Sequence, residues 1–165
     1  MRKIFLFFMT FVILTAILGG PKISAKAQSN QDTKVRMVSK AAEYFEDGSY
    51  VTITVTEEIG MSRGTIYQKT GSREVVLHNS SGVELWSFTL HGIFLVDTGV
   101  SAACTDASYT ISIAESAWEN ESASAFCSGN QAIGDANFIK KLLGITVESK
   151  GCHVVLTCDS YGNLS

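Results

Sequence analysis

The sequence predicts an all-β protein, mainly an antiparallel β-sandwich or barrel of roughly seven to nine strands, exported behind a cleaved N-terminal signal peptide. The first observation behind this is the run from Asn79 to Asp97. There Trp86, Phe88, Leu90, Phe94 and Val96 share one parity and so one face of a strand, which makes Trp86 the expected core anchor. The second is a succession of glycine-marked turns with apolar alternation between them, in a chain whose single proline is Pro21. The third is the amino-terminal end.

Arg2 and Lys3 precede an apolar block from Ile4 to Leu18, and Gly19-Gly20-Pro21 leads on to Ala25-Lys26-Ala27. This is the charged, apolar and small-residue order of a secretory signal, with cleavage expected after Ala27 at the Ala25/Ala27 site. The block is shorter than the ~20 apolar residues that cross a bilayer. A secreted, extracellular protein is expected, with no membrane attachment after cleavage. Three segments follow: 1–27, the signal peptide; 28–48, a polar leader with a short helix; and 49–165, a single β-sandwich domain.

Loss of residues 1–27 removes Arg2, Lys3, Lys22 and Lys26, which leaves nine of thirteen basic residues against sixteen acids, a net charge of −7. Nucleic acid is excluded as a partner because phosphate binding needs clustered cations. Anionic lipid is excluded for want of a polybasic cluster.

Taken in order, Val35, Val38, Ala42 and Phe45 have helical spacing, and Glu46-Asp47-Gly48 is a turn. Tyr50 to Thr56 alternates as a strand, and Glu57 to Arg63 is expected as a loop. Thr65 to Lys69, Glu74 to His78 and the long stretch follow, joined by turns at Thr70-Gly71-Ser72 and Asn79-Ser80-Ser81-Gly82, as a meander. Gly92 interrupts the long apolar face, where a bulge or a bend into a second sheet is expected. Ser108 to Ala114 and Ser122 to Phe126 are further strands, with a hairpin turn at Ser128-Gly129-Asn130. Residues 137–143 fit either a short helix or a strand, and neighbouring hairpins favour strand. Glu148 to Gly151 is expected as a turn because the apolar parity switches across it, from Ile145 and Val147 to Cys152, Val154, Leu156 and Cys158.

All four cysteines, Cys104, Cys127, Cys152 and Cys158, follow the cleavage site, and an even count in an exported chain predicts two disulfides. Cys152 and Cys158 fall on one face of one strand, about 20 Å apart, whereas a disulfide needs Cα atoms within about 7 Å. Two pairings remain: 104–158 with 127–152, which is favoured, or 104–152 with 127–158. No C-x-x-C pair is present and His78, His91 and His153 lack ligand spacing, so neither a metal nor another cofactor is expected.

Phe94-Leu95-Val96-Asp97-Thr98-Gly99 resembles the active-site loop of aspartic proteases, and Leu142-Leu143-Gly144 resembles their second apolar-apolar-glycine element. That chemistry needs two aspartates sharing a proton, so a single motif would require a homodimer, and a hairpin turn accounts for the same residues. His78 and His91 alternate with apolar neighbours, as solvent-facing strand residues do, and no G-x-S-x-G elbow is present. Trp118, beside Glu115, Glu119 and Glu121, is a core or edge aromatic or else a ligand-stacking platform.

Asn79-Ser80-Ser81-Gly82 with Leu85-Trp86-Ser87, Cys104-Thr105, Ser116-Ala117-Trp118, Leu143 to Val147, Leu156-Thr157-Cys158 and Gly162 to Ser165 together resemble a family of small secreted Firmicutes proteins, a domain of unknown function. The resemblance runs from about Ser49 to the carboxyl terminus and carries no activity. It implies that Cys104 and Cys158 are the commoner cysteines, with Cys127 and Cys152 an added pair. The expected function is a non-enzymatic extracellular binding or interaction module, with a cell-envelope or other extracellular ligand. A bacteriocin-like secreted antagonist is the alternative, and a small aspartic-type peptidase using Asp97-Thr98-Gly99 comes third.

Overall fold

The computed structural model describes residues 34–59 and 64–165. The signal peptide, its Ala25/Ala27 site and the start of the leader lie outside the described residues. Eight antiparallel strands run through those that are described: β1 Lys34–Tyr44, β2 Tyr50–Ile59, β3 Ile66–His78, β4 Glu84–Asp97, β5 Ser101–Ile113, β6 Trp118–Ser128, β7 Gln131–Leu142 and β8 Ile145–Thr157. The protein is all-β. One sheet has the order β1-β2-β3-β4-β5 and the other β6-β7-β8, so strands that pair are consecutive in the chain.

The parity of β4 sets the core. Trp86, Phe88, Leu90, Phe94 and Val96 are all buried, and Val75 and Leu77 of β3 lie opposite Phe88 and Trp86. The second sheet returns Ala132, Ala136 and Phe138 from β7 and Cys152, Val154 and Leu156 from β8 to the same core. Trp86 stacks on Phe138 with ring centroids 3.9 Å apart and planes within 7°, and Trp118 meets Trp86 edge-on at 6.4 Å. Such aromatic pairs add about 0.5–1.5 kcal/mol beyond the area they bury.

Glycines make room for the neighbouring side chains of the same core. Gly71 and Gly92 face each other across β3 and β4, and the room they leave holds Leu164 of the carboxyl-terminal tail and the folded-back ring of Phe94. A Cβ on Gly134 of β7 would lie 2.9 Å from the Phe88 ring.

Several expectations are corrected. Val35 to Phe45 is not helical: it lies in β1 and its following turn, an edge strand with every residue exposed. A bulge between Met37 and Ser39 throws Val35 and Val38 out of strand phase, which imitates a helical period. Glu57 to Ile59 belongs to β2 rather than to a loop, and Thr70-Gly71-Ser72 is not a turn: β3 runs unbroken from Ile66 to His78, with Gly71 paired to Gly92. β4 stays in one sheet throughout, and the irregularity near Gly92 lies in its partner: Ile93 pairs with Asp106 and Phe94 with Cys104, leaving Thr105 of β5 unpaired. Residues 137–142 are strand. Glu148 to Gly151 is not a turn, because β8 runs on and the parity switch is taken up where Val147 drops out of the pairing with β7.

Glu57 is buried on the inner face, 5% exposed, between two cations: Arg36 Nε donates to Oε1 at 2.6 Å and Lys69 Nζ donates to Oε2. Burial pushes this carboxyl up, but the hydrogen bonds from Lys69 and Arg36 outweigh it and hold the group below its ordinary value. A depressed folded value contributes stability that is complete above the unfolded value of about 4.3 and is lost as pH falls through the folded one. In urea unfolding, Glu57→Gln is therefore expected to be less stable than wild type at pH 7, with the gap closing toward pH 3. A gap independent of pH would refute this account. A second expectation concerns packing. Gly71→Ala should lose about 1–3 kcal/mol, because its Cβ would sit 2.9 Å from the Thr56 carbonyl and against Leu164. Gly151→Ala, whose Cβ meets nothing within 4 Å, should lose none.

Candidate functional site

Alternating strand directions put the β1–β2 and β3–β4 turns, the β5–β6 link and the β7–β8 turn at one end of the sheets. The β4–β5 and β6–β7 turns and the carboxyl-terminal tail lie at the other. At the first end the β7–β8 hairpin carries its apolar residues out into solvent: Leu142 is 63% exposed, Leu143 96%, Ile145 69% and Val147 55%. The hairpin closes in two residues, Leu143 and Gly144, at φ +51° and +80°. A two-residue turn with both φ positive is the type I′ turn, in which Asn-Gly or Asp-Gly is favoured because those residues tolerate the left-handed region. Leucine there costs on the order of 1–2 kcal/mol, and this one shields nothing.

Behind the tip the hairpin is fixed to the body. Lys141 N–H donates to the Ala117 carbonyl at 2.8 Å, and the Lys141 ammonium pairs with Glu119. Lys150 pairs with Glu148 at 3.4 Å and stands 5.1 Å from the centre of the Phe45 ring, while Lys140 lies 5.9 Å over the Trp118 ring. A cleft of about 170 Å³ opens beside the hairpin base, walled by Asp47, Ser49, Asn79, Trp118, Lys140 and Glu148. Its turns are rigid. Asp47 Oδ1 accepts from the Ser49 hydroxyl and amide at 2.5 and 2.9 Å, and Asn79 Oδ1 accepts from the Ser81 and Val83 amides, each at 2.9 Å. The Ser49 hydroxyl and amide hold the Asp47 carboxyl below its ordinary range. The end combines a stiff, charged base with an apolar projection.

The other candidate residues fall elsewhere. Trp118, considered as a ligand platform, is a core residue, 4% exposed, because its ring turns in against Trp86. Asp97-Thr98-Gly99 forms the β4–β5 turn at the far end, where Thr98 donates twice to the Thr65 carbonyl and Gly99 N–H donates to the Ser160 carbonyl. Leu142-Leu143-Gly144 lies at the opposite end, separated by the length of β4, which at ~3.4 Å per residue is roughly 45 Å. The two protease-like elements therefore do not form one site. His78 and His91 bond to Thr52 and Thr110 at 3.3 and 3.2 Å.

One polar pair was not legible from spacing. His153 Nδ1 lies 2.6 Å from Asp135 Oδ1, and the strand register puts Ser124, Asp135 and His153 side by side on three strands. The order matters chemically. A serine nucleophile needs the imidazole between hydroxyl and carboxylate, and here the carboxylate is in the middle. Both members are exposed, and the groove beside them is lined by Ser122, Ser124 and Asn137.

The cysteines do not pair as expected. Cys104 of β5 is bonded to Cys127 of β6, Cα atoms 5.4 Å apart, while Cys152 and Cys158 remain buried thiols. Neither expected pairing is present, because both required every cysteine to be bonded. The disulfide instead joins the edges of the two sheets and closes a loop of 23 residues, a constraint worth about 3 kcal/mol in the loop-entropy model. Burial, with nearby Asp135 and Asp159, pushes the Cys152 and Cys158 thiols up to about 11 each. At pH 8 the native protein should show no thiol reactive within minutes, and denatured, unreduced protein should show two. A count of none or four on denaturation would contradict this pairing. No protein-family model matches the chain, and no curated protein or solved structure matches it either.

Proposed function

We propose that the chain is a secreted, non-enzymatic interaction module whose recognition surface is the end of the sheets that carries the β7–β8 tip. The observation that supports this reading most directly is Leu143, an apolar side chain 96% exposed and held at φ +51°. Strain of this kind clusters at functional positions, and binding residues are disproportionately carried on turns over a rigid frame. The charged cleft at the hairpin base suits orientation of a partner rather than chemistry on it, because its Asp47 carboxylate is tied to its own turn. Kinship with the small secreted Firmicutes family belongs to the same proposal, and the cell envelope is the first place to look for the ligand.

The test is co-sedimentation of purified protein with intact bacterial cells and isolated envelopes, beside a Leu142→Asp/Leu143→Asp variant. Wild type is expected in the pellet, with the variant reduced roughly tenfold, as for the lost burial of two leucines. Equal sedimentation of the two proteins, or sedimentation of neither, would refute the assignment of this surface.

A further inference from the structure

Resting on that reading, we infer that the β7–β8 tip is a lipid-insertion element and that its partner is the interface of a zwitterionic bilayer. The layering of groups along the hairpin carries the inference. Leu142, Leu143 and Ile145 form the outermost layer, and Val147 bulges out behind them, between Thr146, which pairs with Lys141, and Glu148, which pairs with Lys140. Lys141 and Lys140 lie two and three residues behind the apex, about 7 and 10 Å at ~3.3 Å per residue, within the depth to which interfacial elements bury their apolar side chains. Behind the tip lie long amphipathic side chains and an exposed aromatic: Lys140 over Trp118, and Lys150 over the ring of Phe45. Lysine stems at that depth are suited to the boundary between acyl chains and headgroups, while Lys150, which pairs with Phe138, stands further back with Phe45, and Trp118 stays in the core.

Charge selects the kind of lipid. Lys141 and Lys150 are matched by Glu119 and Glu148, and Lys140 shares the cleft wall with Asp47. Glu46, Glu84 and Glu115 stand in or beside the turns and link of the same end. Acids therefore outnumber the lysines. An anionic surface is repelled, whereas headgroups carrying both signs are tolerated, and attraction comes from burying apolar side chains. The want of a polybasic cluster, which excludes attraction to anionic lipid, leaves this mode of binding open.

The experiment is flotation of the full chain with phosphatidylcholine vesicles and, separately, with vesicles containing phosphatidylglycerol. Because the apolar block Ile4–Leu18 would itself bind lipid wherever it is retained, the readout is the ratio of variant to wild type in the same chain. Leu142→Asp/Leu143→Asp is expected to lower the floated fraction roughly tenfold. Leu143→Asn, which suits the positive φ, should lower flotation while holding or raising the melting temperature, which separates binding from folding. Val100→Asp, at an exposed position in the far-end turn, should leave flotation unchanged. Binding to phosphatidylcholine should equal or exceed binding to phosphatidylglycerol and should change little with salt. The inference is overturned if the tip variants float like wild type, if Val100→Asp is equally impaired, or if phosphatidylglycerol is preferred. If the tip variants lose envelope sedimentation but keep flotation, the partner is a protein or glycan: the interaction-module reading stands and lipid insertion falls. If neither assay responds to them, both fall.

Discussion

The face-to-face contact between β4 and β7, centred on Trp86 against Phe138, is the constraint to which the remaining structure is fitted. Two flat rings lie 3.9 Å apart there, and glycines further along the same sheets make room for the side chains packed beside them. Gly134 gives way to Phe88, Gly92 to Phe94, and Gly71 to Leu164, so that one aromatic layer is filled from both sheets and from the carboxyl-terminal tail. Interiors packed at crystal-like density transmit any change in volume to their neighbours. These sites should therefore behave as one coupled unit in double-mutant cycles rather than as independent contributions.

Each sheet is a meander, so the sheets place the turns but leave their contents free to vary. Most connections obey ordinary turn chemistry, with carboxylate or amide side chains of Asp47, Asn79 and Asp159 accepting from the next backbone amides. The β7–β8 hairpin departs from this. Its central pairs are held against the core by Phe138, whereas its last residues are exposed and remain a ladder without a packed face. Such a projection is set by the same contact that orders the core: Phe138 lies four residues from Leu142 on one strand, and the orientation of the tip follows from its stack on Trp86.

The fold was legible where a strand has one buried face and unbroken pairing. β4 states its inner face residue by residue, and Gly82 and Gly129 mark turns of the meander, whereas Gly71, expected in a turn, lies inside β3. The errors share a physical origin, since each falls where a bulge or an absent burial signal breaks the two-residue period. The bulge at Val38 imitated a helix, and the extra residue Val147 imitated a turn. Trp118 was ambiguous because its neighbours are acidic, while its burial depends on Trp86, 32 positions earlier in the chain. The Asp135–His153 pair and the Cys104–Cys127 bond were hidden for a similar reason: both are set by which strands meet, and spacing along the chain carries no record of that. For the cysteines the geometric exclusion of a Cys152–Cys158 bond was sound. The assumption that all four must pair was not, because a buried thiol is itself a small apolar residue suited to a core.

What marks the β7–β8 tip as more than a loosely packed end is that two separate local rules are broken at one residue. Among the described residues every positive φ except one belongs to a glycine, and the exception is Leu143. The same residue has the highest exposure among the exposed large apolar side chains. If folding alone governed the position, an asparagine would relieve the backbone and remove the apolar surface in one substitution, with no packing to lose. The two penalties have a common explanation when the side chain is buried in something outside the chain, since that contact rewards the apolar group and can offset the strain. The turn's tight geometry then has a use of its own. It presents a leucine at the extreme apex of a stiff ladder, with little conformational entropy left to lose on binding.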